Sequence, residues 1–128
     1  TYNSQLLSMA ATVATLDAVS APGFHADLEV KSEKLREGLT KAFVDAGIPA
    51  SVNSFPGFVH VGLGLSESPK EYRDLIAVDK SRYAQFCHIL LKRGVRTLER
   101  GAWFVSSKHN EDVLDETIAA ASLAAKEI

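Results

Sequence analysis

Residues 50–63 read ASVNSFPGFVHVGL, and this stretch decides what kind of fold the chain adopts. Two short β-favouring runs, Ala50 to Phe55 and Phe58 to Leu63, are separated by Pro56-Gly57, a strong turn pair. In the second run Val59, Val61 and Leu63 alternate with Phe58, His60 and Gly62. That alternation predicts a hairpin whose Val/Leu side faces packed helices. Gly62 and Gly64 predict either a bulge or a close approach by another backbone.

On both sides of the hairpin the apolar period changes from two to three and four. Upstream, Phe24, Leu28, Leu35, Leu39 and Phe43 form a helical stripe from about Pro22 to Ala46, with Glu29, Lys31, Glu33, Lys34, Arg36 and Glu37 on the other face. Pro22 suits the first turn of this helix, Gly47 its left-handed end, and Pro49 blocks continuation. Downstream, Leu65 to Val78 is a polar connection with a short helical turn around Glu71 to Leu75. A helix then starts at Asp79 or Ser81 and runs to Arg93, with Tyr83, Phe86, Leu90 and Cys87 on its apolar stripe and Gly94 closing it. Val95 to Thr97 and Trp103 to Ser106 read as short strands around the turn Glu99-Arg100-Gly101. Asn110 is a good N-cap for a last helix that uses Val113, Leu114, Thr117, Ile118, Ala121 and Ala124. Helices packed on one face of a small, largely antiparallel sheet satisfy this order: an α+β, two-layer domain.

The N-terminal run TYNSQLLSMAATVATL (residues 1–16) stands apart. Leu6, Leu7, Met9, Ala10, Val13, Ala14 and Leu16 predict a helix with one broad apolar face. Ala10, Ala11 and Ala14 would let another backbone approach closely. We therefore divide the chain into residues 1–20, a contact helix, and residues 21–128, the domain proper. The apolar face of residues 1–20 is expected to lie on another chain or to be poorly ordered.

Composition sets wide bounds. The 128 residues are 46% hydrophobic and 23% charged, ordinary values for one globular domain. Net charge is −2, from 14 basic and 16 acidic residues without blocks, which argues against nucleic acid as a partner. The apolar runs fall short of a membrane span. A single cysteine, Cys87, excludes an internal disulfide and fits a reducing cytoplasm.

Three segments together resemble one family. Thr1, Leu7, Met9, Ala10 and Ala11 match a pattern T-x-x-G-N-P-L-x-M-A-A, with Ser4, Gln5 and Leu6 in place of Gly, Asn and Pro. DKSRYAQFCHILLKRGV (79–95) and AWFVSSKHNEDVLDETIAAA (102–121) follow in the order and spacing of the same family. The chain resembles the C-terminal small domain of class-III aminotransferases that use pyridoxal 5′-phosphate (PLP), especially glutamate-1-semialdehyde 2,1-aminomutase and related transaminases. The resemblance implies a PLP-dependent homodimer acting on an amino acid or amino aldehyde. It also implies that the large domain and the Schiff-base lysine lie outside this chain, which alone should be inactive. The alternative is a free-standing, non-catalytic α+β binding module.

The resemblance further implies individual roles. Thr1 would donate to the phosphate of the partner subunit's PLP; in the isolated chain it would be a terminus without a role. The strand before the last helix, Ala102-Trp103-Phe104-Val105, lacks the arginine that many class-III transaminases carry there. The loop before it is shorter than in the aminomutases, so Glu99 does not align with their acidic residue without a gap. Glu99-Arg100-Gly101 is read as the substrate-specificity loop, with Arg100 a carboxylate contact, since a planar guanidinium meets a carboxylate with two hydrogen bonds. The plainer reading of Glu99 and Arg100 is a solvated turn pair.

From the residues themselves, His109 is expected to hydrogen-bond at the start of the last helix. His25, His60 and His88 lack metal spacing, so no metal site is expected. Cys87 and Trp103 are read as core.

Overall fold

A computed structural model describes residues 5–128; the Thr1 assignment lies outside the described residues. Helix α1 spans Leu6–Val19 and turns by 76° into α2, Phe24–Asp45. The hairpin follows as β1, Ala50–Phe55, and β2, Phe58–Leu63. A short 3-10 helix, Tyr72–Ala77, leads into α3, Lys80–Lys92, then β3, Ala102–Phe104, and α4, Glu111–Ala125. The three strands form an antiparallel sheet in the order β1-β2-β3. The α+β reading therefore holds.

The hairpin folds as its alternation dictates. Its register runs unbroken from Ala50 opposite Leu63 to Phe55 opposite Phe58, so no bulge forms. Gly62 instead makes room for Leu65, whose Cδ1 would lie 2.8 Å from a Cβ at that position. Val59, Val61 and Leu63 are buried and meet Leu35, Leu39, Phe43, Tyr83, Phe86 and Leu90 of the helices in one core. Phe86 is the hub of its aromatic part, with ring centroids 5.1 Å from Phe43, 5.9 Å from Tyr83 and 6.5 Å from Trp103. Gly38 lets α2 approach α4: a Cβ there would lie 2.5 Å from Ile118 Cδ1.

Three local expectations are corrected. α2 begins at Phe24, not in a turn containing Pro22, because Gly23 takes the N-cap position with φ +85°. Val95–Thr97 is not a strand: after Gly94 the segment runs without ladder bonds, and Thr97 Oγ1 bonds Ala102 O instead. The last strand stops at Phe104, although Val105 N still donates to Gly57 O at 2.9 Å. α1 is left uncovered by the rest of the described chain, in keeping with its expected apolar surface: none of its residues is buried, with Leu6 84% and Leu7 77% exposed. Apolar side chains surround this helix on all sides, and within the monomer it finds no surface to bury them against.

Candidate functional site

The loop carrying Glu99, Arg100 and Gly101 lies between α3 and β3, and the sheet holds it in place. Gly101 O accepts from Val61 N at 2.8 Å, and Gly101 N donates to Leu98 O at 3.2 Å. Gly101 is the one residue type this arrangement admits. Its φ is +84°, and an added Cβ would clash with the Val61 carbonyl and sit 3.0 Å from His60 Nε2. Behind the loop, Trp103 Nε1 donates to the Tyr83 hydroxyl at 2.9 Å, both residues being buried. Burial pushes the Tyr83 pKa far up, so this phenol stays a neutral bridge between α3 and β3. Cys87 packs beneath Leu98 and its thiol is pushed up to about 11, chiefly by burial, which fits the inert core role read from its stripe.

In front of the loop is an open concavity of about 730 Å³. Its polar lining is His60 from β2, Lys80 from the first turn of α3, and Glu99 and Arg100 from the loop. Tyr72, Leu75, Ile76 and Val78 form its apolar wall, and Tyr72 and Ile76 are 85% and 74% exposed. Glu99 and Arg100 also border a second concavity on the other side of the loop, with Cys87, His88, Leu91 and Arg96. The two residues thus stand on a ridge between two hollows. Both are exposed, and among the described residues neither enters an ion pair. Arg100 therefore borders a partly apolar hollow with no ion-pair partner among the described residues, an arrangement able to take a carboxylate.

The structure brings together residues that the sequence reading treated separately. In the sequence His60 shows no metal spacing; in the fold it shares the concavity with Arg100. Its signal was available in the hairpin alternation, which sets it on the face opposite Val59 and Val61. Tyr72 and Ile76 had no signal, because nothing in a polar connection tells which side chains a later loop will face. His109 bonds within the turn before α4, where its Nδ1 accepts from Ser106 N at 2.9 Å, while Asn110 caps the helix by accepting from Val113 N. Among the described residues no cluster of His, Cys, Asp or Glu is arranged to hold a metal ion.

No family model matches the sequence. Solved structures do match the fold. An omega-transaminase from Sphaerobacter thermophilus superposes with a TM-score of 0.87 at 19% identity, over 98% of this chain and 29% of that one. A transaminase with PLP bound gives 0.83 at 20% identity, over 98% and 28%. A β-phenylalanine aminotransferase from Variovorax paradoxus gives 0.84 at 21% identity, over 95% and 28%.

The fold is that of an aminotransferase C-terminal domain. The chain spans less than a third of the length of each of these proteins. An aminotransferase-type domain raises the question of PLP, which is held covalently by a desolvated lysine amine. The lysines here do not fit that role. Lys31, Lys34 and Lys41 are tied to Asp27, to Glu111 and Asp115, and to Asp45. Lys80, which lines the concavity, is exposed, as are Lys70, Lys92, Lys108 and Lys126.

Proposed function

We propose that this chain is the C-terminal small domain of a PLP-dependent aminotransferase that works as a homodimer in the cytoplasm. The domain supplies one wall of a substrate site, and Arg100 binds a substrate carboxylate there. The observation that carries this reading is the unpaired Arg100 guanidinium in the concavity of a domain with the transaminase small-domain fold. We favour transamination over aminomutase chemistry, since three solved proteins with this fold are described as transaminases. The proposed substrate is an amino acid; Glu99, beside Arg100, would disfavour a second acidic group through like-charge repulsion. Thr1 remains part of the proposal as a contact to the phosphate of the partner subunit's PLP, on the strength of the N-terminal resemblance. The exposed α1 is the proposed seat of the large domain and the second subunit. PLP would supply the electron sink for the amino-group transfer, and the lysine that holds it would come from outside these 128 residues.

The test is to purify the full-length gene product containing this segment and assay amino transfer. An internal-aldimine absorbance, turnover of an amino acid, and a steep loss of kcat/KM in Arg100→Ala are expected. A gene product without further sequence and without PLP absorbance would favour the binding module instead. The 128-residue chain mixed with PLP should give no lysine adduct.

A further inference from the structure

Among the described residues His60 is a polar group without a partner. It lies mid-way along β2, opposite Asn53 of β1 and Ala102 of β3, and its ring lines the concavity that Arg100 borders. Among the described residues the only histidine in a side-chain hydrogen bond is His109, so neither nitrogen of His60 is engaged. The ring is half-buried, and no polar atom of it is sealed away unsatisfied. A half-buried imidazole with open hydrogen-bonding capacity and a guanidinium outside any ion pair among the described residues, lining one hollow, are the composition of an anion site.

The residues around the ring keep it open. Gly101 passes over its Nε2–Cδ2 edge so closely that a Cβ would sit 3.0 Å from Nε2 and 3.3 Å from Cδ2. Ala102, its cross-strand neighbour, is the smallest side chain that still supports a strand. A side chain at position 101 would press on the imidazole. The titratable and charged groups lining the same hollow are Glu99 and Arg100 from the loop, Lys80 and Tyr83 from α3, and Tyr72 from the 3-10 helix. Desolvation lowers the imidazole pKa, so the ring is neutral at neutral pH and offers one N–H and one lone pair.

We propose that His60 is a second ligand-contacting, specificity-determining residue of this concavity, donating a neutral N–H to one oxygen of the carboxylate whose charge Arg100 meets. The proposal rests on the carboxylate reading of Arg100 made above. A neutral donor beside one guanidinium suits a monoanion: it adds direction to the contact without adding charge. The apolar wall of Tyr72, Leu75 and Ile76 then receives the remainder of the ligand.

Isotope-labelled 128-residue chain would be titrated with 3-phenylpropionate and, separately, with 3-phenylpropan-1-ol, reading the imidazole and guanidinium resonances. Saturable shifts of both His60 and Arg100 are expected with the acid and not with the alcohol. His60→Phe should weaken binding roughly three- to tenfold, the worth of one hydrogen bond, and His60→Gln, which keeps an N–H donor, should recover most of it. His60→Ala serves if the Phe variant does not fold. Wild-type affinity in His60→Phe and His60→Ala, with binding lost in Arg100→Ala, overturns the role of His60 and leaves the carboxylate reading standing. Equal binding of acid and alcohol, undiminished binding in Arg100→Ala, or no saturable shift with the acid overturns the carboxylate reading and this proposal with it.

Discussion

Gly101 shows how one residue can fix a site it does not itself chemically serve. Two demands meet there: a left-handed backbone and room for the Val61 carbonyl and the His60 ring. Gly101→Ala meets neither demand, so the loop must move or the sheet must open. The expected cost is about 2–4 kcal/mol, the sum of positive-φ strain and overpacking. It should appear as a lower urea midpoint with an unchanged m-value. Tyr83 is the matching case from behind. Tyr83→Phe keeps the ring packing but leaves the buried Trp103 indole N–H without its acceptor. A loss of about 1–3 kcal/mol is expected in the same measurement. Gly101 could be read from the sequence as a turn residue, because glycine signals a backbone conformation that few other residues adopt. The Tyr83–Trp103 bond could not, because it joins a helix stripe to a strand that only the tertiary fold brings together.

The elements differ in how much of their behaviour is local. The hairpin was fully legible: alternation and Pro56-Gly57 specify register, and the register in turn buries Val59, Val61 and Leu63. Val95–Thr97 has strand-favouring residues but forms no strand, because β-branched side chains favour strands only when a neighbouring strand is available. Here Val61 N is taken by Gly101 O, and the segment before it turns away to form the loop. α1 was legible as a helix but not as to what it touches, since apolar residues at helical spacing say only that burial is favourable somewhere. This makes a clean contrast between two helices. Val13→Glu in α1 should leave the urea stability of the isolated chain within about 0.5 kcal/mol of wild type, because Val13 is 57% exposed. Leu39→Ala in α2 should cost about 2–5 kcal/mol, because Leu39 is fully buried in the shared core. Equal effects of the two substitutions would mean that α1 packs against the domain body after all.

At the scale of the whole molecule, α2 is the piece that holds the layers together, and Glu33 is the charge that ties it to the sheet. Its carboxylate accepts from Arg36 Nε at 2.7 Å on its own helix and from Ser54 Oγ at 2.7 Å on β1. The Arg36 bond first, and the Ser54 bond second, lower its pKa from 4.5 to about 2. A carboxylate with a depressed folded-state pKa stabilises the fold when both states are ionised, above about 4.5. As pH falls, the unfolded chain takes up the proton first, so the contribution shrinks through that value and is gone near pH 2. The imidazole of His60 acts in the same direction but higher on the scale, because burial disfavours its protonated form: its share is lost as pH falls below 6.5. Urea stability measured against pH should therefore fall in two separable stages on acidification. Glu33→Gln should shrink the lower stage, to which Asp74 with its own lowered pKa also contributes, and leave the upper one, whereas His60→Phe should flatten the upper stage and leave the lower. A wild-type profile that stays level from pH 7 to 3 would show that neither group is held in the folded state as the structure has it.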